Sequence, residues 1–165
     1  MSEDHRRYLI VEQGVGPAIF NFLLNALIAS GLYHALDVVP LEGPQSVAGD
    51  TVATGVLLPF LSCLIVTAVV RRHVAGGRLA PLAVPHPAVA WMPRNTVLRA
   101  ILFAVLTCVT LVPLTLRLFA ALGVTGMGFW WFVLYKAAWA AMAAFILTPL
   151  IALWAIAAPP RPATA

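Results

Sequence analysis

TVATGVLLPFLSCLIVTAVVRR, residues 51–72, decides the fold of this chain. Its first twenty residues carry no charge. At 1.5 Å per residue, a helix of that length crosses the roughly 30 Å hydrocarbon core of a bilayer. Arg71 and Arg72 then end the apolar run abruptly. The segment is therefore predicted to be a membrane-spanning helix.

Three further apolar runs of similar length surround this segment. We predict four spans in total, at about residues 17–36, 51–70, 97–116 and 137–157. Pro17 suits the first position of a helix, because its missing N–H group would have no partner there in any case. The sequence predicts an all-α fold, a four-helix transmembrane bundle that forms a single domain over residues 1–165.

The composition agrees with a membrane location. Hydrophobic residues make up 62% of the chain and charged residues only 10%, which lies outside the usual range of soluble domains. The net charge of +4 needs no nucleic acid to explain it, because basic residues are expected at the edges of membrane spans. We therefore expect the lipid bilayer as a partner of this chain, and no nucleic acid.

The basic residues are distributed unevenly between the two sides of the spans. Eight of the ten flank the N-terminus, the connection 71–96 or the C-terminus: Arg6, Arg7, Arg71, Arg72, Arg78, Arg94, Arg99 and Arg161. The positive-inside rule predicts that both termini and the loop 71–96 are cytoplasmic. Glu12 and Gln13 interrupt the apolar pattern near the start, so we expect no cleaved signal peptide.

Two asparagines lie four residues apart in the first span, so Asn21 and Asn25 share one helix face. Exposing amides to lipid is costly, because hydrocarbon leaves their donors and acceptors unpaired. We expect them to hydrogen-bond to neighbouring helices. The alternative is a substrate or ion site, which gains weight if Asn25 faces a hydroxyl group of another span. The candidates are Ser62, Thr67 and Thr107.

Ionisable groups also occur at the side of the spans opposite the arginine-rich one. Lys136 and Arg117 lie near that boundary, and Asp37 and Asp50 lie at the same level with the opposite sign. We predict an outer polar cluster in which Asp50 pairs with Lys136 or Arg117. A structural lock is the favoured role, and orientation of a ligand head group is the alternative. Asp50 is also well placed as the N-cap of the second span.

The second and fourth spans each contain a proline near the middle, Pro59 and Pro149. Each proline removes one backbone hydrogen bond and frees a carbonyl one turn earlier, at Gly55 and Phe145. We predict helix kinks that help the bundle to pack. Coordination of a cation by the freed carbonyls, as in broken-helix transporters, is the alternative.

The spans lack the residue types that most membrane chemistry requires. No Asp or Glu lies at mid-depth for proton-coupled transport, and no histidine lies within a predicted span to ligate a haem. The chain contains no H-E-x-x-H motif, no Ser/His/Asp arrangement and no CxxC pair. We expect no catalytic residue, no cofactor and no metal site.

The first hairpin, about residues 12–72, contains EQGVGPAIFNFLLNALI and VPLEGPQSVAGDTVATGVLLPFLSCLIVT, followed by two arginines. Through its asparagine pair and its GDT…LLPF elements it resembles a group of small uncharacterised bacterial membrane proteins with four spans. The resemblance implies a multi-pass protein of the bacterial inner (cytoplasmic) membrane, and it carries no function.

These observations favour a non-catalytic accessory or scaffold protein, with a membrane-protein partner or a second copy of this chain. A small oligomeric transporter or channel, with Asn25 and Thr67 along its path, is the first alternative. A membrane enzyme acting on lipid is the second. A cavity that reaches Asn25 would favour transport, and a filled bundle would favour the scaffold. A lipid-facing cleft at Asp50 and Lys136 would favour the enzyme.

Overall fold

The computed structural model describes residues 3–80 and 92–157, which are mostly helical. The centre of the predicted loop 71–96 and both chain ends, Arg161 included, lie outside the described residues. In chain order the elements are α1 (Glu3–Arg7), a π-helix (Tyr8–Val15), α2 (Gly16–Tyr33), β1 (Val38–Pro40), α3 (Val47–Ala75), α4 (Thr96–Val109), α5 (Leu111–Ala121), β2 (Gly126–Gly128) and α6 (Phe129–Ala157).

Within the described residues, four helical segments are long and apolar enough to cross a membrane: His5–Tyr33, Val47–Ala75, Thr96–Ala121 and Phe129–Ala157. This confirms the four predicted spans, and the chain is a multi-pass membrane protein. The third segment is divided into α4 and α5 at Thr110. Both α3 and α6 continue through their prolines without interruption.

All four helical segments begin before the predicted spans, and two of them also end after the predicted ends. The first helical segment begins well before Pro17, and α6 begins at Phe129 rather than at residue 137. Ser46, not Asp50, caps α3, since its Oγ accepts a 3.0 Å hydrogen bond from the Gly49 N–H. The N-cap prediction for Asp50 was wrong. At its other end, α3 includes His73, so a histidine does lie within a spanning helix.

A two-stranded antiparallel ribbon, which the sequence did not predict, accompanies the helical bundle. β1 pairs with β2 in the register Val38↔Gly128, Val39↔Met127 and Pro40↔Gly126. A Cβ at Gly126 would lie 3.0 Å from the Val39 carbonyl oxygen, so the close approach of the strands favours glycine. We call this end of the bundle the ribbon end. The ribbon joins the connection after α2 to the connection before α6.

α6 is the central helix of the bundle. α2 packs on α6, and α3 packs between α6 and α4. α6 is the most buried of the four spans, and the segment ending at Tyr33 is the least buried. Small side chains let neighbouring backbones approach α6 closely. They are Ala137, Ala140, Ala143, Ala144, Ala152 and Ala155.

α3 has one closely packed side. Gly55, Pro59, Cys63 and Thr67 repeat every four residues along it, and all four are buried. At Gly55 the contact with α5 is so close that an added Cβ would lie 2.6 Å from the Cγ2 of Val112. This side, which faces α4 and α5, is called the packed side below.

Candidate functional site

A cleft of about 540 Å³ lies between α2 and α3, and α6 contributes residues to its wall. Its volume falls within the range of small-molecule sites, about 300–1,000 Å³. Phe20, Leu57 and Leu61 line it and are at the same time largely exposed on the outside of the bundle. The cleft therefore opens sideways, toward the surface that faces lipid.

Two apolar stripes form the walls of the cleft. Phe20, Leu24, Ile28 and Leu32 follow one another at intervals of four on α2. Ala53, Leu57, Leu61 and Ile65 do the same on α3. Residues four apart share a helix face, so each stripe extends for about 18 Å. The walls suit an apolar chain lying along the helices.

A buried ion pair lies at the end of the cleft nearest the ribbon. Lys136 donates a hydrogen bond to Oδ1 of Asp50, and the two side chains are only 5% and 8% exposed. Both residues line the cleft. Asp50 lies in the first turn of α3, and Lys136 lies about two turns into α6. The Tyr33 hydroxyl donates a longer bond, 3.5 Å, to the same carboxylate oxygen.

Hydroxyl groups fix the helices on either side of the pair. The Thr51 hydroxyl donates to the Val47 carbonyl at 2.7 Å, and its oxygen lies 2.7 Å from the Tyr135 hydroxyl. Because Thr51 has a single hydroxyl proton, Tyr135 is the donor in the second bond. One turn further along α6, the Trp139 indole N–H donates to Thr115 at 3.0 Å. These hydrogen bonds therefore connect α3, α5 and α6 next to the ion pair.

Asn21 and Asn25 both line the cleft, but their amides bond within α2. The Asn21 Nδ2 group donates to the Pro17 carbonyl at 2.9 Å, and that of Asn25 donates to the Asn21 carbonyl at 3.0 Å. Hydrogen bonds to neighbouring helices, which the sequence led us to expect, are not formed by either amide within the described residues. Ser62 lines the same cleft, on α3.

Thr67 and Thr107 lie elsewhere, and neither lines the cleft. The Thr67 oxygen accepts a hydrogen bond from Arg99, and Thr107 donates to the Phe103 carbonyl of its own helix at 2.9 Å. In place of the threonines, Thr148 of α6 lies at the far end of the cleft. Its single hydroxyl proton is shared between the carbonyls of Gln13 and Ala144.

Arg117 and Asp37 do not join the ion pair. Both side chains are exposed, and within the described residues neither forms a salt bridge. The Asp37 backbone carbonyl instead accepts a 3.0 Å hydrogen bond from the Phe129 N–H beside the ribbon. The predicted cluster of four is thus a pair, Asp50 with Lys136.

Arg99 is a buried cation that the sequence analysis placed at the edge of a span. Its side chain is completely buried, and its guanidinium carbon lies 3.4 Å from the centre of the Trp154 ring. It donates to the Thr67 hydroxyl at 3.0 Å and to the Pro93 carbonyl at 3.2 Å. Its Nε has no hydrogen-bond partner in the described parts of the chain. The spacing of Arg99, Phe103 and Thr107, four residues apart, was the available signal.

A second polar network joins the N-terminal helices to the end of α3. Gln13 donates to the Tyr8 hydroxyl at 3.0 Å, and that hydroxyl lies 3.0 Å from Nδ1 of His73. Glu12 and Arg78 form an exposed ion pair at 3.0 Å nearby. Tyr8, Gln13 and Glu12 belong to the π-helix, a conformation that sequence periodicity does not reveal.

The cleft offers binding rather than an obvious reaction centre. Its described polar residues are one neutralised ion pair, amides and hydroxyls, with no histidine or cysteine among them. Across residues 3–80 and 92–157, no group of three or more His, Cys, Asp or Glu residues is arranged to hold a metal ion.

Comparisons with protein-family models, curated proteins and solved structures found no match to this chain.

Proposed function

We propose that this multi-pass membrane protein binds a small amphipathic, lipid-like molecule in the cleft between α2 and α3. The apolar chain of the ligand lies along the two stripes, and its polar end lies at Asp50 and Lys136. One observation carries the proposal: an apolar cleft with a lipid-facing mouth has a buried ion pair in its wall. Sites of this kind, mainly apolar with a few placed polar groups, are typical of ligand binding.

The cleft favours ligand binding over a purely structural scaffold. A scaffold formed by a filled bundle would leave no internal space beside Asn25, whereas the cleft reaches this residue. Burying Asp50 and Lys136 is also costly, and intramembrane charges more often serve function than stability. We propose a binding role without catalysis.

Transport of the same molecule is a second candidate, supported by the length of the cleft. Its lining residues on α3 extend from Asp50 to Val66, about 24 Å along the helix axis. This distance is most of the roughly 30 Å hydrocarbon thickness. The cleft at Asp50 and Lys136 meets the condition stated above for an enzyme acting on lipid. That candidate still has less support, because the Asp50 carboxylate is already bonded to Lys136 and no nucleophile–base pair lines the cleft among the described residues.

We further propose that the protein lies in a bacterial inner membrane with its ribbon end outside. The arginine distribution in the sequence and the positive-inside rule support this orientation, and both termini would then be cytoplasmic. Cysteine accessibility at the ribbon, for instance in Val38→Cys, tests it. Labelling of intact cells by a membrane-impermeant maleimide is the expected result, and labelling only after lysis would contradict it.

The binding proposal is tested by blocking the cleft. Ala53 lines it beside the ion pair, and Ala53→Trp would fill the space that a ligand chain needs. Ala68→Trp is the matched control, because Ala68 lies on the same helix, is exposed and does not line the cleft. Each variant is purified from the membrane, and the lipids that remain bound are quantified by native mass spectrometry.

We expect Ala53→Trp to lower the amount of bound lipid-like molecule at least about tenfold, and Ala68→Trp to leave it unchanged. Equal retention by both variants would refute binding in the cleft.

For the transport candidate, reconstituted vesicles with a fluorescent acyl probe in one leaflet are compared with protein-free vesicles. Exchange between leaflets that Ala53→Trp abolishes would support transport.

A further inference from the structure

We infer that the ligand of the cleft has an uncharged polar end that both donates and accepts hydrogen bonds, as a hydroxyl group does. This inference rests on the proposed binding function and specifies the chemical class of the ligand. The class is a long-chain alcohol or a glycerolipid with a free hydroxyl, as opposed to an anionic phospholipid or a long-chain amine. The charge balance of the cleft carries the inference.

Within the described residues, the cleft contains one negative and one positive side chain, and these bond to each other. The other lining residues that come from α2, α3 and α6 are uncharged. An anionic head group would draw Lys136 away from Asp50 and leave a buried carboxylate unpaired. A cationic head group would do the reverse. Separating a buried, hydrogen-bonded pair in this way strongly disfavours either ligand.

A hydroxyl group disturbs the pair much less. The Lys136 ammonium has three N–H groups, of which Asp50 accepts one, and a carboxylate can accept further bonds. One hydroxyl can therefore accept from Lys136 and donate to Asp50 while the ion pair stays intact. The pair then acts as a neutral site that both donates and accepts hydrogen bonds at the end of the apolar cleft.

Uncharged polar groups beside the pair point to the same ligand. Thr54 lies one turn from Asp50 and Asn25 lies deeper in the cleft, and both residues are more than nine-tenths buried. Within the described parts of the chain, neither the Thr54 hydroxyl nor the Asn25 side-chain oxygen forms a hydrogen bond, and neither is a fully enclosed atom. Both atoms are therefore accessible from the cleft, where a hydroxyl group of the ligand can hydrogen-bond to them.

The test compares ligands that share one chain and differ in head-group charge. The protein in phosphatidylcholine nanodiscs is labelled with a photoreactive diazirine derivative of tetradecanol, and the crosslinks are mapped by mass spectrometry. Tetradecanol, tetradecyl sulfate and tetradecylamine then compete with the label. We expect crosslinks on the cleft stripes, and tetradecanol should compete at least about thirtyfold better than either charged molecule.

Variants that unbalance the pair should invert the preference. Asp50→Asn leaves Lys136 without its counter-charge, so tetradecyl sulfate should become the best competitor. Lys136→Gln should favour tetradecylamine for the opposite reason. If either variant fails to fold, the order measured with the unaltered chain still decides. Cleft crosslinks with equal or better competition by a charged molecule would overturn this inference alone, whereas no crosslinking in the cleft would overturn the proposed function itself.

Discussion

Two buried cations, Lys136 and Arg99, lie in different surroundings. Lys136 is bonded to a carboxylate and borders a cleft. Arg99 belongs to α4 and contacts the packed side of α3 at Thr67. Its partners are a hydroxyl, a carbonyl and an aromatic ring, with no carboxylate in the described residues. Arginine spreads its charge and presents several donors in a plane, so neutral partners suffice. A compact ammonium requires a counter-charge, and this pairing leaves polar groups at an accessible cavity.

Separating Asp50 from Lys136 is the largest expected perturbation. Asp50→Leu or Lys136→Met alone leaves one buried charge unpaired and should lower the free energy of unfolding by about 3–5 kcal/mol. The double variant removes both charges and should recover most of that loss. Denaturant titrations in mixed micelles measure all three. A double variant no more stable than the single ones would show that the pair does not act as a unit.

Arg99→Met should destabilise the protein less than breaking the Asp50–Lys136 pair does. It removes a cation whose partners are neutral, so no buried carboxylate is left unpaired. The Thr67 hydroxyl and the Pro93 carbonyl lose a charged donor, and the loss of stability should be about 2–3 kcal/mol. Arg99→Lys should not restore it, since one ammonium cannot reproduce the planar set of contacts. The same titrations check both, and full rescue by lysine would contradict the role given to the guanidinium plane.

Gly55→Ala tests how closely the packed side of α3 approaches α5. The new Cβ would lie 2.6 Å from Val112, so we expect a loss of about 1–3 kcal/mol through overpacking. Gly31→Ala is the matched control, because a Cβ there meets no atom within 4 Å. It should be neutral or slightly stabilising. Val112→Ala in the Gly55→Ala background should restore part of the lost stability.

The exposed pair of Glu12 and Arg78 should give the smallest effect. These side chains are 43% and 60% exposed, so solvent screens their attraction. Arg78→Ala should cost less than about 1 kcal/mol, and the cost should disappear at high salt. The buried Asp50–Lys136 pair should keep its effect at the same salt concentration. Equal salt sensitivity of both pairs would contradict the burial of the second.

The four spans could be predicted from hydropathy, but their ends could not. A helix continues wherever its backbone hydrogen bonds are made, so α3 includes Arg71, Arg72 and His73 beyond the apolar run. The ribbon was missed because VVP and GMG are three residues each, too short for an alternating pattern. These strands pair across the bundle, which local sequence does not encode.

For the site, the sequence indicated at which depth of the membrane each charged residue lies, but not toward which neighbouring helix its side chain points. Asp50, Lys136 and Arg117 were assigned to one level, and only the rotation of their helices decides that Asp50 meets Lys136 while Arg117 points outward. The same limitation hid Arg99, which lies near the expected level but points inward. The cleft itself results from the way α2 and α3 each pack on α6, a tertiary arrangement with no signature in either helix.

The central place of α6 has a consequence for biogenesis. A ribosome makes this helix last of the four, yet it is the one on which α2 packs and against which α3 is held. Until α6 enters the bilayer, the first span lacks the helix on which it packs, and the ribbon lacks its second strand. The first span must therefore remain in the membrane without its main helix contact until α6 is made, whereas α3 and α4 can already pack against each other.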